Sequence, residues 1–177
     1  ASWLIQSSNT PDIVNNKITI DNINDFSSWA ISSSQVRTLN SSGNWNVESN
    51  WLPTGVPNST DSIYIANGKS VIIPQGVNGQ CKSLNMNGSL SMFTDTLYIS
   101  KNWNLNLGST FSYGNGTIVF NGVDQQVSSG NFYNILFSNS GTKSLTGNIS
   151  IFGSCSINQN VILDASSHSI TVSKHWL

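Results

Sequence analysis

The chain has 177 residues, a formal net charge of −1 and only 8% charged residues, against about 25% in ordinary globular domains. Its 37% of hydrophobic and 10% of aromatic residues exclude a disordered chain, because disordered chains have too little apolar surface to bury. The few basic residues are scattered singly, so binding of nucleic acid through its phosphates is not expected. No apolar run reaches the length of a membrane span, and we expect no membrane insertion.

The first 34 residues differ in pattern from the rest of the chain. They contain three short segments of alternating apolar and polar residues, SWLIQSS, NKITIDNI and FSSWAISS, which predict three strands. Three strands make only a marginal unit by themselves. We therefore expect residues 1–34 to be the tail of an upstream β-sandwich-like domain, or a cap. The polar residues 35–42 are predicted to be a linker.

From residue 43 to residue 177, short alternating segments repeat, and each is closed by Gly, Asn, Asp or Ser. A period of two places alternate side chains on one face of a strand. The predicted inward-facing pairs are Leu84 and Met86, Leu90 and Met92, Leu97 and Ile99, Ile118 and Phe120, Ile135 and Phe137, and Ile170 and Val172. Strands this short must stack to bury a core. We therefore predict an all-β protein whose residues 43–177 form a right-handed parallel β-helix, or β-solenoid, that is incomplete at its C-terminal end.

The opening of this region carries a motif, Gly43-x-Trp45-x5-Trp51, followed by Gly-Val-Pro and Asp61. This spacing resembles the first segment of β-helical, adhesin-like surface proteins of the Bacteroidota, many of which are exported by the type IX secretion system. The later segment TIVFNGVDQQ is similar to the coils of that family. The resemblance implies a secreted protein, or one on the outside of the outer membrane. It also implies partners such as glycans, host or environmental surfaces, translocon components and neighbouring domains of a longer chain.

The two tryptophans of this motif, Trp45 and Trp51, have two interpretations. Exposed rings could stack on sugars, but aromatic residues more often plug the open end of a solenoid, and we favour the capping role. A carbohydrate-active β-helix would instead present a line of exposed aromatic rings with carboxylates beside them. The candidates for that line are Tyr98, Tyr113 and Tyr133.

The polar residues give no pattern of a catalytic, cofactor-binding or metal-binding site. Glycoside hydrolysis needs paired carboxylates, and structural or catalytic metals need clustered ligands. The acidic residues Asp61, Asp95, Asp124 and Asp164 stand singly and are expected to serve turns and solubility. The histidines His168 and His175 have no ligand spacing. We therefore predict a protein that is not an enzyme and uses no cofactor or metal.

The two cysteines, Cys81 and Cys155, are predicted to be unpaired. In coils of about 20 to 25 residues they would lie about three coils apart, and strands stack about 4.8 Å apart. This separation exceeds the reach of a disulfide.

Two short patterns suggest attached glycans. The triplets Asp61-Ser62-Ile63 and Asp95-Thr96-Leu97 match the Asp-Ser/Thr-apolar pattern of O-glycosylation in Bacteroidota, which implies sugars on Ser62 and Thr96. Five Asn-x-Ser/Thr sites also occur, beginning at Asn40, Asn58, Asn87, Asn115 and Asn148, and the abundance of Asn and Ser explains them by chance.

The sequence therefore predicts a non-catalytic structural or adhesive section of a large secreted or cell-surface bacterial protein, which presents a rigid stalk or a binding face. One alternative is a carbohydrate-binding or polysaccharide-degrading β-helix. Another is a secretion-system substrate captured as a partial chain.

Overall fold

The computed structural model of the chain describes residues 35–177, which belong to one compact unit, Ser33–Leu177. These residues form short parallel strands stacked in a β-solenoid of about six turns, as the alternating pattern predicts. Residues 35–177 contain no α-helix, only a single 3₁₀ turn at Glu48–Asn50. No helix in this range is long and apolar enough to cross a membrane. The strands predicted within residues 1–34 lie outside the described residues.

The strands follow one another around the axis in sets of three. The first sets are β1 (Val36–Leu39), β2 (Gly43–Asn44) and β3 (Trp51–Leu52); β4 (Ser62–Ile65), β5 (Ser70–Ile73) and β6 (Gly79–Cys81); and β7 (Ser83–Met86), β8 (Ser89–Met92) and β9 (Thr96–Ile99). The next are β10 (Trp103–Leu105), β11 (Thr110–Ser112) and β12 (Thr117–Phe120); and β13 (Gln125–Val127), β14 (Gly130–Phe132) and β15 (Asn134–Phe137). The last are β16 (Gly141–Leu145), β17 (Ile149–Ile151) and β18 (Ser154–Ile157); and β19 (Val161–Asp164), β20 (Ile170–Val172) and β21 (His175–Trp176).

Stacking of these sets produces three faces. Face A contains β1, β4, β7, β10, β13, β16 and β19, and β3 lies beside β1 at its end. Face B consists of two sheets, β2-β5-β8-β11 and β14-β17-β20, and face C contains β6, β9, β12, β15, β18 and β21. Strands of successive coils pair in parallel, so that Leu97 lies opposite Ile118, which lies opposite Ile135. Each coil therefore advances the chain by about 20 residues.

The inward-facing side chains form one continuous core. The predicted pairs from Leu84 to Phe137 are buried with at most 3% exposure, whereas Ile170 and Val172 in the last coil are half-buried against the core. A fully buried side chain of this size contributes about 1.5–3 kcal/mol. Because each inward side chain packs on its equivalent in the next coil, the core is as long as the stack.

The solenoid begins earlier than the sequence pattern indicates. Residues 35–42, predicted as a linker, contain strand β1, in which Arg37 and Leu39 are buried. Strand β1 pairs in parallel with β4. Its alternation covers only four residues, and two of them are Arg37 and Thr38, which conceals the strand in the sequence.

Trp45 and Trp51 pack together at the start of the stack. Their ring centroids are 5.1 Å apart in an edge-to-face arrangement, and the indole Nε1 of Trp51 donates a hydrogen bond of 2.8 Å to the carbonyl of Trp45. Strand β3 pairs antiparallel with β1. This pairing covers the edge of β1 that would otherwise be free at the end of face A. Each tryptophan is only 1% exposed. Neither ring therefore offers a surface for stacking on sugars, and the contacts are those of a cap.

Both cysteines are buried free thiols on face C. Cys81 lies on β6 and Cys155 on β18, with three strands between them. They are therefore four coils apart, one more than expected from the sequence, and too far apart for a disulfide. Burial raises the pKa of the Cys155 thiol to about 11. Burial, together with the charge of Asp61, raises the pKa of the Cys81 thiol still further above its ordinary value.

These buried thiols predict a loss of stability in alkali. Below the ordinary thiol pKa both states keep their protons. At higher pH the unfolded chain releases them while the folded chain does not, so the free energy of unfolding falls as the pH rises from about 8 to 11. Urea unfolding across this range measures the fall. In the double variant Cys81→Ala/Cys155→Ala, the free energy of unfolding should fall less steeply with pH. Equal slopes in the variant and the original chain would show that the thiols do not cause the fall.

Candidate functional site

The corner between faces C and A is joined to the preceding coil by a buried glutamine, Gln125. Its Oε1 accepts the backbone N–H of Gly122 at 2.8 Å. Its Nε2 donates to the carbonyls of Ile99, at 2.9 Å, and Lys101, at 2.6 Å, in the preceding coil. The amide thus uses both donors and its acceptor. The Phe-Asn-Gly and Gln residues of TIVFNGVDQQ therefore connect neighbouring coils.

One coil later, Lys143 occupies the position opposite Gln125 and is fully buried. Its ammonium donates to the carbonyl of Gly122, to that of Val123 at 2.9 Å and to that of Ser140 at 3.1 Å. An ammonium has three donors, and all three are used here. Burial lowers the pKa of Lys143, and the nearby Asp124 carboxylate opposes this effect. This lysine is therefore a structural cation that closes the corner.

A third buried polar group fixes the beginning of the solenoid. Asp61 is 1% exposed, and its Oδ2 accepts Arg37 Nε at 2.6 Å and the backbone N–H of Asn58 at 3.1 Å. Arg37 also donates from Nη1 to the carbonyl of Pro53 at 2.6 Å. Asp61 thus ties residues 53–58 to β1.

Three further aspartates within residues 35–177 hold backbone at turns, as expected from their isolated positions. The Oδ1 atoms of Asp95, Asp124 and Asp164 accept the N–H groups of Gly76, Thr142 and Ser166 respectively, at 2.8–2.9 Å. Within the part of the chain that the structure describes, no group of three His, Cys, Asp or Glu side chains is arranged to hold a metal ion.

Asparagine side chains likewise accept hydrogen bonds from backbone N–H groups, in this case between coils. In each case an Oδ1 atom accepts a backbone N–H of the next coil at 2.9–3.0 Å, and the pairs are Asn78 with Thr96, Asn102 with Gln126, Asn134 with Ser154, and Asn148 with Ser169. A short amide satisfies backbone groups at corners, where the strand ladder is interrupted. This role explains why Asn is abundant while charged residues are few.

The two predicted O-glycosylation residues lie on strands. Ser62 on β4 and Thr96 on β9 are half-buried and alternate with buried apolar neighbours, so both side chains are on the outer surface of their sheets. The Oγ of Ser62 accepts a hydrogen bond from Ser83 Oγ at 2.9 Å. Glycosylation at these positions stays a prediction.

Aromatic side chains form a row at the corner between faces B and C. Phe93, Tyr113, Tyr133 and Phe152 each follow directly after the second strand of their coil, which is β8, β11, β14 or β17. Phe93 is 53% and Phe152 42% exposed, and the two tyrosines are half-buried. We call these four residues the aromatic corner.

Two rings of the aromatic corner contact each other across coils. Tyr113 and Phe152 are stacked with centroids 5.6 Å apart and planes 9° apart. Only Tyr133 separates β14 from β15, and this tight corner lets rings from the coils on either side meet. Lys174 completes the row, because its Nζ lies 3.0 Å from the Tyr133 hydroxyl and 5.1 Å from the centre of that ring.

The structure thus brings together two of the three tyrosines expected to line a sugar-binding surface. Tyr98 lies apart from them, on the outer surface of face C, where it is 38% exposed and pairs with Gln80 and Val119.

The sequence interpretation missed Phe93 and Phe152. A signal for them exists, because an aromatic residue stands immediately before the corner in MFTD, SYGN, FYNI and IFGS. The coil register must be known before these four segments can be aligned.

Face A has a shallow open depression of about 460 Å³. It is lined by Asn102, Asp124, Gln125, Gln126, Thr142 and Ser144. Hydrogen bonds within the solenoid already use Gln125 and the Oδ1 atoms of Asn102 and Asp124. The depression is therefore a less suitable binding site than the aromatic corner.

Comparisons with protein-family models, with curated proteins and with solved structures give no match for this chain.

The buried lysine can be tested by substitution. Lys143→Met keeps the length of the side chain but leaves three carbonyls without their donor, and a buried acceptor without a partner costs about 1–3 kcal/mol. We expect the free energy of unfolding to fall by about 3 kcal/mol in urea titrations.

The matched control is Lys101→Met, because this lysine is exposed. Its expected change is within about 0.5 kcal/mol. Equal urea midpoints for the two variants would contradict a structural role of the Lys143 ammonium.

Proposed function

We propose that the chain is a non-catalytic structural and adhesive section of a large secreted or cell-surface bacterial protein. The observation that carries this proposal is the aromatic corner, which repeats at one position in four successive coils of a stack whose coils are bonded to one another. Aromatic side chains that recur along a rigid stack of coils can make several contacts with one surface at the same time.

The bonds between coils support the stalk part of the proposal. Parallel ladders connect the coils on three faces, and Gln125, Lys143 and the corner asparagines add side-chain bonds between them. Strand pairing joins only neighbouring coils, as in other solenoids, and such a stack behaves as a rod. Such a rod holds a binding surface in a fixed orientation.

The location and the partners belong to the same proposal. The resemblance of the Trp45–Trp51 segment to type IX cargo of the Bacteroidota supports placement outside the cell. Expected partners are glycans, host or environmental surfaces and neighbouring domains of a longer chain, with the secretion translocon as a partner during export.

Carbohydrate binding is the alternative that a specific observation favours, namely the aromatic corner. A polysaccharide-degrading β-helix would need catalytic carboxylates. Asp61 is buried in an ion pair with Arg37, so the candidates from the sequence analysis are Asp95, Asp124 and Asp164. Each of them holds a backbone N–H, which fits a structural use better than acid and base catalysis.

The adhesive role can be measured with protein-coated beads in a flow chamber. Beads that carry the folded chain should remain on mucin- or polysaccharide-coated glass at least about tenfold more often than beads that carry the thermally unfolded chain, because many weak contacts combine on one bead. Equal retention would overturn the adhesive role. Soluble polysaccharide incubated with the chain should gain no reducing ends, and a gain would overturn the non-catalytic assignment.

A further inference from the structure

We propose that the aromatic corner binds a carbohydrate chain that lies along the solenoid axis, with sugar rings on the aromatic faces and Lys174 bound to a hydroxyl or carboxylate of the sugar. This inference rests on the proposed adhesive function and names its ligand class and its residues.

The first argument is the repetition of exposed rings. A single exposed apolar residue is ordinary on a protein surface. Here four consecutive coils place an aromatic residue directly after their second strand, and Phe93 and Phe152 retain 53% and 42% exposure. A row of exposed aromatic rings at one position of successive coils is typical of a binding surface.

The second argument is the direction of the row. Coils are stacked about 4.8 Å apart, so the row from Phe93 to Phe152 extends about 14 Å along the axis. A sugar unit in an extended polysaccharide advances by a length similar to one coil. A chain of sugars that lies along the axis can therefore span the row, in which Tyr113 and Phe152 form one stacked pair.

The third argument separates a sugar chain from a peptide. Peptides commonly bind solenoids and sheets by adding a strand to a free edge. Strands β8 and β17, which precede Phe93 and Phe152, are paired on both sides. At Phe93 and Phe152 the backbone is therefore not available to a peptide, and the exposed feature is the side chains. Strands β11 and β14, which precede the two tyrosines, are each paired on one side only.

The surroundings of the row have the chemistry that sugars need. Exposed neighbours at the same corners include Thr94, Asn115 and Ser173, which are uncharged donors and acceptors for hydroxyl groups. The negative face of an aromatic ring attracts the polarised C–H groups of a sugar face. Apolar rings beside a few uncharged polar groups are typical of small-molecule and sugar sites.

Part of the site is already ordered. Tyr113 lies between Phe111, with centroids 6.3 Å apart, and Phe152, at 5.6 Å. After this stacking, Phe152 still has 42% of its surface exposed, which leaves ring area for a ligand. Rings held in place lose less conformational entropy on binding.

Lys174 adds a charged donor at one end of the row. Its Nζ lies 3.0 Å from the Tyr133 hydroxyl, and both groups can bind one sugar oxygen. A carboxylate on the sugar would form a charge-assisted bond with this ammonium, which is stronger than a neutral one. We therefore expect chains of uronic acids to bind more tightly than neutral chains.

The test is affinity electrophoresis and calorimetry of the whole chain with polygalacturonate, with neutral dextran and with poly-glutamate, a polyanion without sugars. The double variant Phe93→Ala/Phe152→Ala removes two partly exposed rings outside the core, together with the stacking of Phe152 on Tyr113, and should bind polygalacturonate at least about tenfold more weakly. Lys174→Gln should weaken binding to polygalacturonate and leave binding to dextran unchanged. Phe152→Trp should keep the affinity, because indole is also a stacking face.

The matched control is the double variant Leu107→Ala/Val123→Ala, which removes two exposed apolar side chains outside the aromatic corner. It should bind like the original chain. The proposal is overturned if the control and the ring variant bind equally, if poly-glutamate binds as well as polygalacturonate, or if neither sugar chain binds at millimolar concentration.

A further outcome that overturns it is a dimer in sedimentation that Phe93→Ala/Phe152→Ala abolishes, because the rings would then cover one another in a second copy. The bead-retention assay, repeated with the ring variant Phe93→Ala/Phe152→Ala, distinguishes failure of the carbohydrate site from failure of the adhesive function. If beads coated with the ring variant adhere as well as the original, the adhesive role stands and the carbohydrate site fails.

Discussion

Coil-on-coil burial is the constraint on which the rest of this structure depends. A strand of three or four residues has two inward side chains and cannot bury them alone. Leu97, Ile118 and Ile135 lie opposite one another in successive coils, and each removes apolar surface of the next from water. The parallel register and the continuous core both follow from this one requirement.

Corners are where this arrangement is weakest, because the backbone leaves the ladder there and its polar groups need other partners. The chain solves this with short amides and with two buried groups, Gln125 and Lys143, at equivalent positions in neighbouring coils. One uses a neutral amide and the other a cation for the same purpose. Asn78, Asn102 and Asn148 use their side-chain oxygens in the same way.

The same repetition produces the surface on which the proposed function rests. When coil length is nearly constant, any side chain at the same place in each coil becomes part of a row parallel to the axis. The aromatic corner is such a row, and the tight corner at Tyr133 brings Tyr113 and Phe152 into contact across it. In a solenoid, a residue type that recurs at one position of the coil therefore forms an extended row of side chains.

The sequence by itself determined the all-β class, the stacked coils, the inward residues and the wide separation of Cys81 and Cys155. These features depend on period-two alternation and on turn residues, and both signals can be read from a few consecutive residues. It did not reveal that strand β1 lies within 35–42, or that Phe93 and Phe152 stand in one row with Tyr113 and Tyr133. Only the tertiary structure decided these points. They depend on which residues of different coils are placed side by side, and coils of unequal length hide that register in the sequence.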